Sequence, residues 1–213
     1  MRQTLERLLD STRTVYFAAA TSLVLGLFFI FVWAPHPWGW QGIDAYHELA
    51  RAITRGDGFQ TTDVPWGYAY FAAAFYYVFG EHVWIPLVVQ VILNATVPVM
   101  LYHLVRPLST PRTAVLASAI VGVFSFNTVY ASTQVSDTIS TVMFLAALLG
   151  FARGYRTGSL GSFALSGLLM GIVPQFRPNM VIFPGLMILV YLILTLPSTP
   201  VFRESLTPRL RSG

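Results

Sequence analysis

The sequence has no cysteine and no lysine. Without cysteine it can form neither a disulfide nor a thiolate metal site, so a metal would have to be held by His, Asp or Glu. The whole basic complement is arginine, 13 residues against 9 acids, for a formal charge of +4. Charge of either sign is scarce: 10% of the 213 residues are charged and 55% are hydrophobic, a composition that excludes an ordinary soluble domain. No repeat of fixed period and no low-complexity segment is present, so one membrane domain is expected.

The apolar residues fall in blocks long enough to cross a hydrocarbon core about 30 Å thick. The first runs from about Thr14 to Trp33, and others lie at about 83–105, 113–130, 138–152, 160–176 and 179–196. Because the first block is followed by several of similar length, it reads as a retained anchor and not as a cleaved signal peptide. The arginines sit in short clusters between the blocks. That distribution is a topology signal and makes no case for nucleic acid.

Arg2, Arg7 and Arg13 precede the first span and place the N-terminus in the cytoplasm by the positive-inside rule. The segment 34–66 then begins outside. One block, Tyr68 to Phe79, is ambiguous. If it spans, Arg106/Arg112, Arg153/Arg156 and the Arg-bearing tail fall outside, against the rule; if it does not, all of them fall inside. About a dozen residues are also too few for the roughly 20 a spanning helix needs. The expected fold is therefore all-α and integral to the membrane, with about six transmembrane helices, a half-inserted helix and a helix on the outer surface. The membrane module covers 1–196 with its first outer loop at 34–66, and 197–213 is a polar cytoplasmic tail.

Between Ile43 and Arg55, Ile43, Tyr46, Leu49/Ala50 and Ile53 recur at helical spacing, while Asp44, His47, Glu48, Arg51 and Arg55 share the opposite face. Gly56 and Gly58 end the helix. Such a helix lies flat on a membrane surface and can hold a carboxylate just above it. It is equally read as a solvated face laced by pairs three and four residues apart, with His47 exposed. Asp57, Asp63, Glu81 and Asp137 fall on the same expected side. Asp137 weighs most, since an acid near membrane depth is costly and tends to be functional; the alternative is a plain helix N-cap. Arg177, followed by Pro178, could hold a phosphate by paired hydrogen bonds or could snorkel to the interface.

The stretch Asp44-Ala45-Tyr46-His47-Glu48-Leu49-Ala50 followed by Gly56-Asp57-Gly58-Phe59 resembles the first-loop signature of the GT-C glycosyltransferases, in particular the dolichyl-phosphate-mannose protein mannosyltransferase-like group. Pro65-Trp66-Gly67-Tyr68 leading to Phe79-Gly80, Val135-Ser136-Asp137-Thr138, and Gly167-Leu168-Leu169-Met170-Gly171 leading to Phe176-Arg177-Pro178-Asn179 agree in order. The resemblance implies a GT-C-like fold with an extracytoplasmic active site in a bacterial plasma membrane. It also implies a polyprenyl-phosphate sugar donor. By motif match it makes Asp44 the general base, with Arg177, Asp137, Tyr46, His47 and Tyr68 meeting substrate or its phosphate and Asp63 as a ligand for a divalent metal. Family members usually carry a second acid or a longer spacer beside the first-loop Asp and often two prolines before the Gly-Tyr pair, where this chain has Ala45 and Pro65-Trp66. They are usually longer as well, which leaves open a truncated gene, a fragment or one half of a complex with a second membrane subunit.

Two other readings stand beside the enzyme. A non-catalytic membrane subunit that binds lipid phosphate or a partner needs only the arginines and an open groove. A transporter would be expected to show an internal repeat or paired broken helices, and neither is visible.

Overall fold

In the computed structural model the described residues are 11–33, 45–59, 61, 63–123 and 125–195. They form helices and turns, with no strand among them. Helix α1 (Thr12–Phe28) is started by Ser11, whose side chain accepts from the Arg13 N–H, and runs on into one wider π turn, Phe29–Trp33. It is followed by α2 (Tyr46–Arg55), α3 (Gly67–Phe79), α4 (Trp84–Val105), α5 (Pro111–Val123), α6 (Ser125–Ala131), α7 (Asp137–Thr157), α8 (Leu160–Ile172) and α9 (Ile182–Thr195). Two 3-10 turns, Val173–Gln175 and Pro178–Val181, join α8 to α9.

Among the described residues four segments are long and apolar enough to cross a membrane: Thr12–Trp33, Trp84–Val105, Asp137–Thr157 and Pro178–Thr195. Pro111–Val123 and Leu160–Gln175 are apolar but shorter. The block expected at 113–130 holds α5 and α6, and position 124 between them lies outside the described residues. The tail expected at 197–213 lies outside them too.

The helices pack through small residues, which let backbones approach closely where apolar area alone gives no drive to associate. A side chain at Gly26 would run into Val91, one at Gly122 into the Ala18 backbone, and one at Gly154 into the Phe163 ring. Polar links reinforce the contacts: Asn94 donates to Ser22 Oγ at 2.9 Å, and Ser166 Oγ donates to the Ala147 carbonyl at 2.7 Å. Large apolar side chains such as Phe17, Val24, Ile92, Ile120 and Leu168 face outward, as lipid-exposed positions do.

These contacts fix directions. Phe31 meets Trp84, Gly26 meets Val91 and Ser22 meets Asn94, so α1 and α4 are antiparallel. Gly122 meets Ala18 and Ser132 Oγ donates to the Gly26 carbonyl, so α5 and α6 follow α1. Helices α7 and α8 form a hairpin closed by Gly158 in the left-handed region (φ 68), where a glycine is at ease.

Charge divides accordingly. All five described acids, Glu48, Asp57, Asp63, Glu81 and Asp137, belong to segments at one end of the bundle. Arg13, Arg106, Arg112, Arg153 and Arg156 lie at the other. Helix α3 belongs wholly to the acid end. Gly67 at its start abuts Gln175 and Phe176, Tyr76 in its last turn meets Gln134, and Asp137 pairs with Arg177 beside those two segments. At 13 residues α3 is about 20 Å long, too short to cross, and it lies across the end of the bundle. The main buried cluster is there too, built from Ile30, Tyr46, Tyr68, Tyr76, Leu87 and Phe176 with the alanines of α2 and α3.

Replacing Gly122 by Ala is expected to lower the thermal midpoint in detergent by an overpacking cost of about 1–3 kcal/mol, because the new methyl meets backbone atoms of Ala18. Gly167→Ala, which meets nothing within 4 Å, is expected to leave the midpoint unchanged or raise it. Equal midpoints for the two variants would show that close backbone approach does not hold α1 to α5.

Candidate active site

The site is assembled on α2 and α3. Tyr46 and Ala50 of α2 are buried, and the polar face carries His47, Glu48, Arg51 and Arg55 as the helical spacing predicts. The helix opens at Ala45, which holds a left-handed conformation (φ 49, ψ 30) unusual for a residue with a Cβ. It closes at Gly56 (φ 91), whose N–H caps the Ala52 and Ile53 carbonyls. The helix therefore starts at Tyr46, and the expected start at Ile43, together with Asp44, lies outside the described residues.

Helix α2 is held down mainly by aromatic packing. The Tyr46 and Tyr68 rings are both fully buried, with centroids 4.8 Å apart. Beside them the Tyr76 hydroxyl is the hub of a polar network. Gln134 Nε2 donates to it at 2.7 Å, and it lies 3.0 Å from His47 Nδ1. With one lone pair of the hydroxyl taken by Gln134, its own hydrogen is free to go to His47 Nδ1, which keeps the neutral ring's proton on Nε2. The expectation of an exposed His47 is corrected: it is half-buried and bonded. Burial lowers its pKa from the ordinary 6.5, and Arg51 adds to the effect while Glu48 and Glu81 oppose it.

Arg51 pairs with Glu48 three residues back at 3.2 Å, as the spacing suggests, but its shorter bond, 2.6 Å, goes to Glu81 beyond the end of α3. Arg55 approaches Glu81 at 3.8 Å. The ion pairs thus tie the exposed face of α2 to the turn after α3.

The turn between α6 and α7 brings in the rest. Gln90, in the middle of an apolar helix and fully buried, points Nε2 at the carbonyls of Tyr130, Ala131 and Thr133 at 3.1, 3.2 and 2.9 Å. The Tyr130 and Thr133 carbonyls also accept from the N–H groups of Thr133 and Val135, so Gln90 adds a side-chain donor to a turn that is already hydrogen-bonded and meets the Ala131 carbonyl at its centre. The turn so fixed carries Gln134 under Tyr76 and Asp137 into an ion pair with Arg177. The alternative of Asp137 as an N-cap is corrected: Ser136 holds that position, and Asp137 is the first helical residue, where the helix dipole favours a carboxylate. Arg177 is extended (φ −140, ψ 97), as a residue before proline prefers.

Of the residues expected to act, the fold brings Tyr46, His47, Tyr68, Asp137 and Arg177 to one end. Asp63 is at the same end but exposed, and among the described residues no three His, Asp or Glu side chains converge as a metal site would need. Four buried atoms, the hydroxyls of Tyr68 and Thr128 and the Oε1 atoms of Gln90 and Gln134, have no hydrogen-bond partner among the described residues. Tyr76, Gln90 and Gln134 escaped the sequence reading. The signal for Gln90 was present, since an uncharged amide inside an apolar run demands a polar partner. For Tyr76 there was none, one tyrosine in an aromatic helix being like the next.

A family model described as dolichyl-phosphate-mannose-protein mannosyltransferase matches residues 63–207 of the 213. No curated protein and no solved structure matches the chain. The matched range contains α3, Gln134, Asp137 and Arg177 and begins after α2.

The depressed pKa of His47 sets a pH dependence. Above pH 6.5 the ring is neutral whether the protein is folded or not. As pH falls through 6.5 the unfolded chain takes the proton first, and stability is lost until the folded pKa has been passed. Between pH 7.5 and 5.5 the wild type is expected to lose more of its thermal midpoint than His47→Gln, which can still accept from Tyr76. Equal losses would show that another group is responsible.

Proposed function

The chain belongs to the dolichyl-phosphate-mannose-protein mannosyltransferase family, and from that premise we propose that it moves a sugar from a polyprenyl-phosphate donor to an acceptor hydroxyl on the extracytoplasmic face of a membrane. The family and the apolar helices make it an integral membrane glycosyltransferase of the GT-C type. The assignment of side rests on the charge partition, because the positive-inside rule keeps the arginine-bearing end in the cytoplasm and turns the acid end outward.

The observation that carries the reading is the Asp137–Arg177 pair at the acid end, next to the polar network on Tyr76. Asp137 takes one N–H of the guanidinium at Nη2, and both side chains remain about a third exposed, so the remaining donors of Arg177 are available to a phosphate. In the transfer, the acceptor oxygen forms a bond to the anomeric carbon as the bond from that carbon to the phosphate oxygen breaks. The acceptor proton goes to the carboxylate of Asp44, the base assigned by motif match and lying two residues before α2. The lipid phosphate departs with an added negative charge, and Arg177 is the cation at hand to meet it. Asp63 remains the proposed ligand should a divalent metal share that task.

In proteoliposomes given a labelled polyprenyl-phosphate sugar, the wild type is expected to transfer label and Asp44→Asn to lose about 10²–10⁴-fold in kcat, the contribution of a positioned base. Arg177→Gln is expected to cost about tenfold or more in kcat/KM for the donor, with Arg177→Lys between the two. Full activity in Asp44→Asn would remove Asp44 as the base. A folded wild type that binds donor and transfers nothing would point to a partner subunit that completes the enzyme.

A further inference from the structure

At the end opposite the acids there is a cleft of about 710 Å³. Its walls come from three helices and the turn after α4: His103 in the last turn of α4 and Leu108 just past it, Arg153, Tyr155 and Arg156 in the last turns of α7, and Leu194 near the end of α9. Most of the lining is apolar, and its two arginines are Arg153 and Arg156. No described acid lies at this end. The ion pairs among the described residues engage Arg51, Arg55 and Arg177 and leave Arg153 and Arg156 without a carboxylate.

Two guanidiniums three residues apart project from one helix face, so they can bind one group together. Gathered over an apolar cleft with no counter-charge among the described residues, they are set to recognise an anion that brings its own hydrophobic body. Guanidinium forks match phosphate oxygens, and a cleft between helices at the level of the head groups lets acyl chains continue along the apolar helix faces. We propose that this cleft is a binding site for an anionic phospholipid, its phosphate held by Arg153 and Arg156 and its chains lying against α4 and α9. The site is separate from the acid end and does not depend on the sugar transfer proposed there. The exposed side chains of α9 fit this occupant, since that helix has no buried residue of its own and lipid would supply the surface that covers it.

The test compares lipids retained by the full chain when it is released from nanodiscs of mixed phosphatidylglycerol and phosphatidylcholine and weighed intact by native mass spectrometry. The wild type is expected to keep phosphatidylglycerol at least fivefold over its share of the bilayer. Arg153→Gln/Arg156→Gln is expected to lose that enrichment. Arg106→Gln, which removes a charge from the same end but not from the cleft lining, is expected to keep it. Added inorganic phosphate at millimolar concentration is expected not to displace the lipid. Equal retention of the two lipids by the wild type would overturn the proposal, as would loss of enrichment in Arg106→Gln to the same degree, since diffuse surface charge would then suffice. Displacement by inorganic phosphate would overturn the lipid as the occupant. Should the double variant fail to fold, photocrosslinking of the wild type with a photoactivatable phosphatidylglycerol decides: crosslinks concentrated in 103–108 and 149–157 support the site, and crosslinks spread evenly over the outward faces of α1 and α5 refute it.

Discussion

The acid end depends on one side chain, Gln90. Where α6 stops, the turn N–H groups meet the carbonyls of Val129, Tyr130 and Thr133, and Gln90 meets that of Ala131, an acceptor whose loss of a partner in an apolar setting would cost about 1–3 kcal/mol. The Gln90 amide has two hydrogens and three carbonyls within reach, so at least one bond is shared. That arrangement permits the chain to turn sharply inside the protein instead of at a wet surface. Gln134 and Asp137 both ride on the turn, and through them it reaches Tyr76 and Arg177. Helix α4 therefore does more than span: from its interior it sets the position of a turn some forty residues further along the chain.

Magnitudes decide what holds α2 against this scaffold. The Arg51–Glu81 and Arg51–Glu48 pairs are visible and short, yet both partners are partly exposed, and such pairs contribute about 0–1 kcal/mol each. Tyr46 and Ala50 are wholly removed from solvent, and burying one large apolar side chain is worth about 1.5–3 kcal/mol. Packing thus docks the helix, and the ion pairs orient it. The polar contact between His47 and Tyr76 has the same character: it selects one docked arrangement from the several that an aromatic surface would accept. Ala45, strained at the entry to α2, adds a constraint on the side from which the preceding chain arrives.

Much of this was legible in the sequence. The apolar blocks located the long helices within a few residues, and the arginine clusters anticipated the division of charge between the ends. The helical spacing from Tyr46 to Ile53 gave α2 and its buried face, and the shortness of the Tyr68–Phe79 block gave a helix that does not cross. The encounter of Tyr76 with His47 and Gln134 was not legible, because the three are far apart in sequence and no local pattern marks their meeting. Arg177 and Asp137 were singled out separately; that each is the other's partner became visible only in three dimensions. Asp44, named by motif alone, still stands on that motif.

The brevity of α8 bears on how the protein enters a bilayer. It is a 13-residue α-helix, about 20 Å long, and would leave hydrocarbon uncovered if it were inserted by itself. It is also joined by a short turn to a long antiparallel neighbour, α7, and is packed against it where Gly154 meets Phe163 and where Ser166 donates to the Ala147 carbonyl. Insertion as a hairpin removes the mismatch, because the long arm supplies the hydrophobic free energy and carries the short arm in.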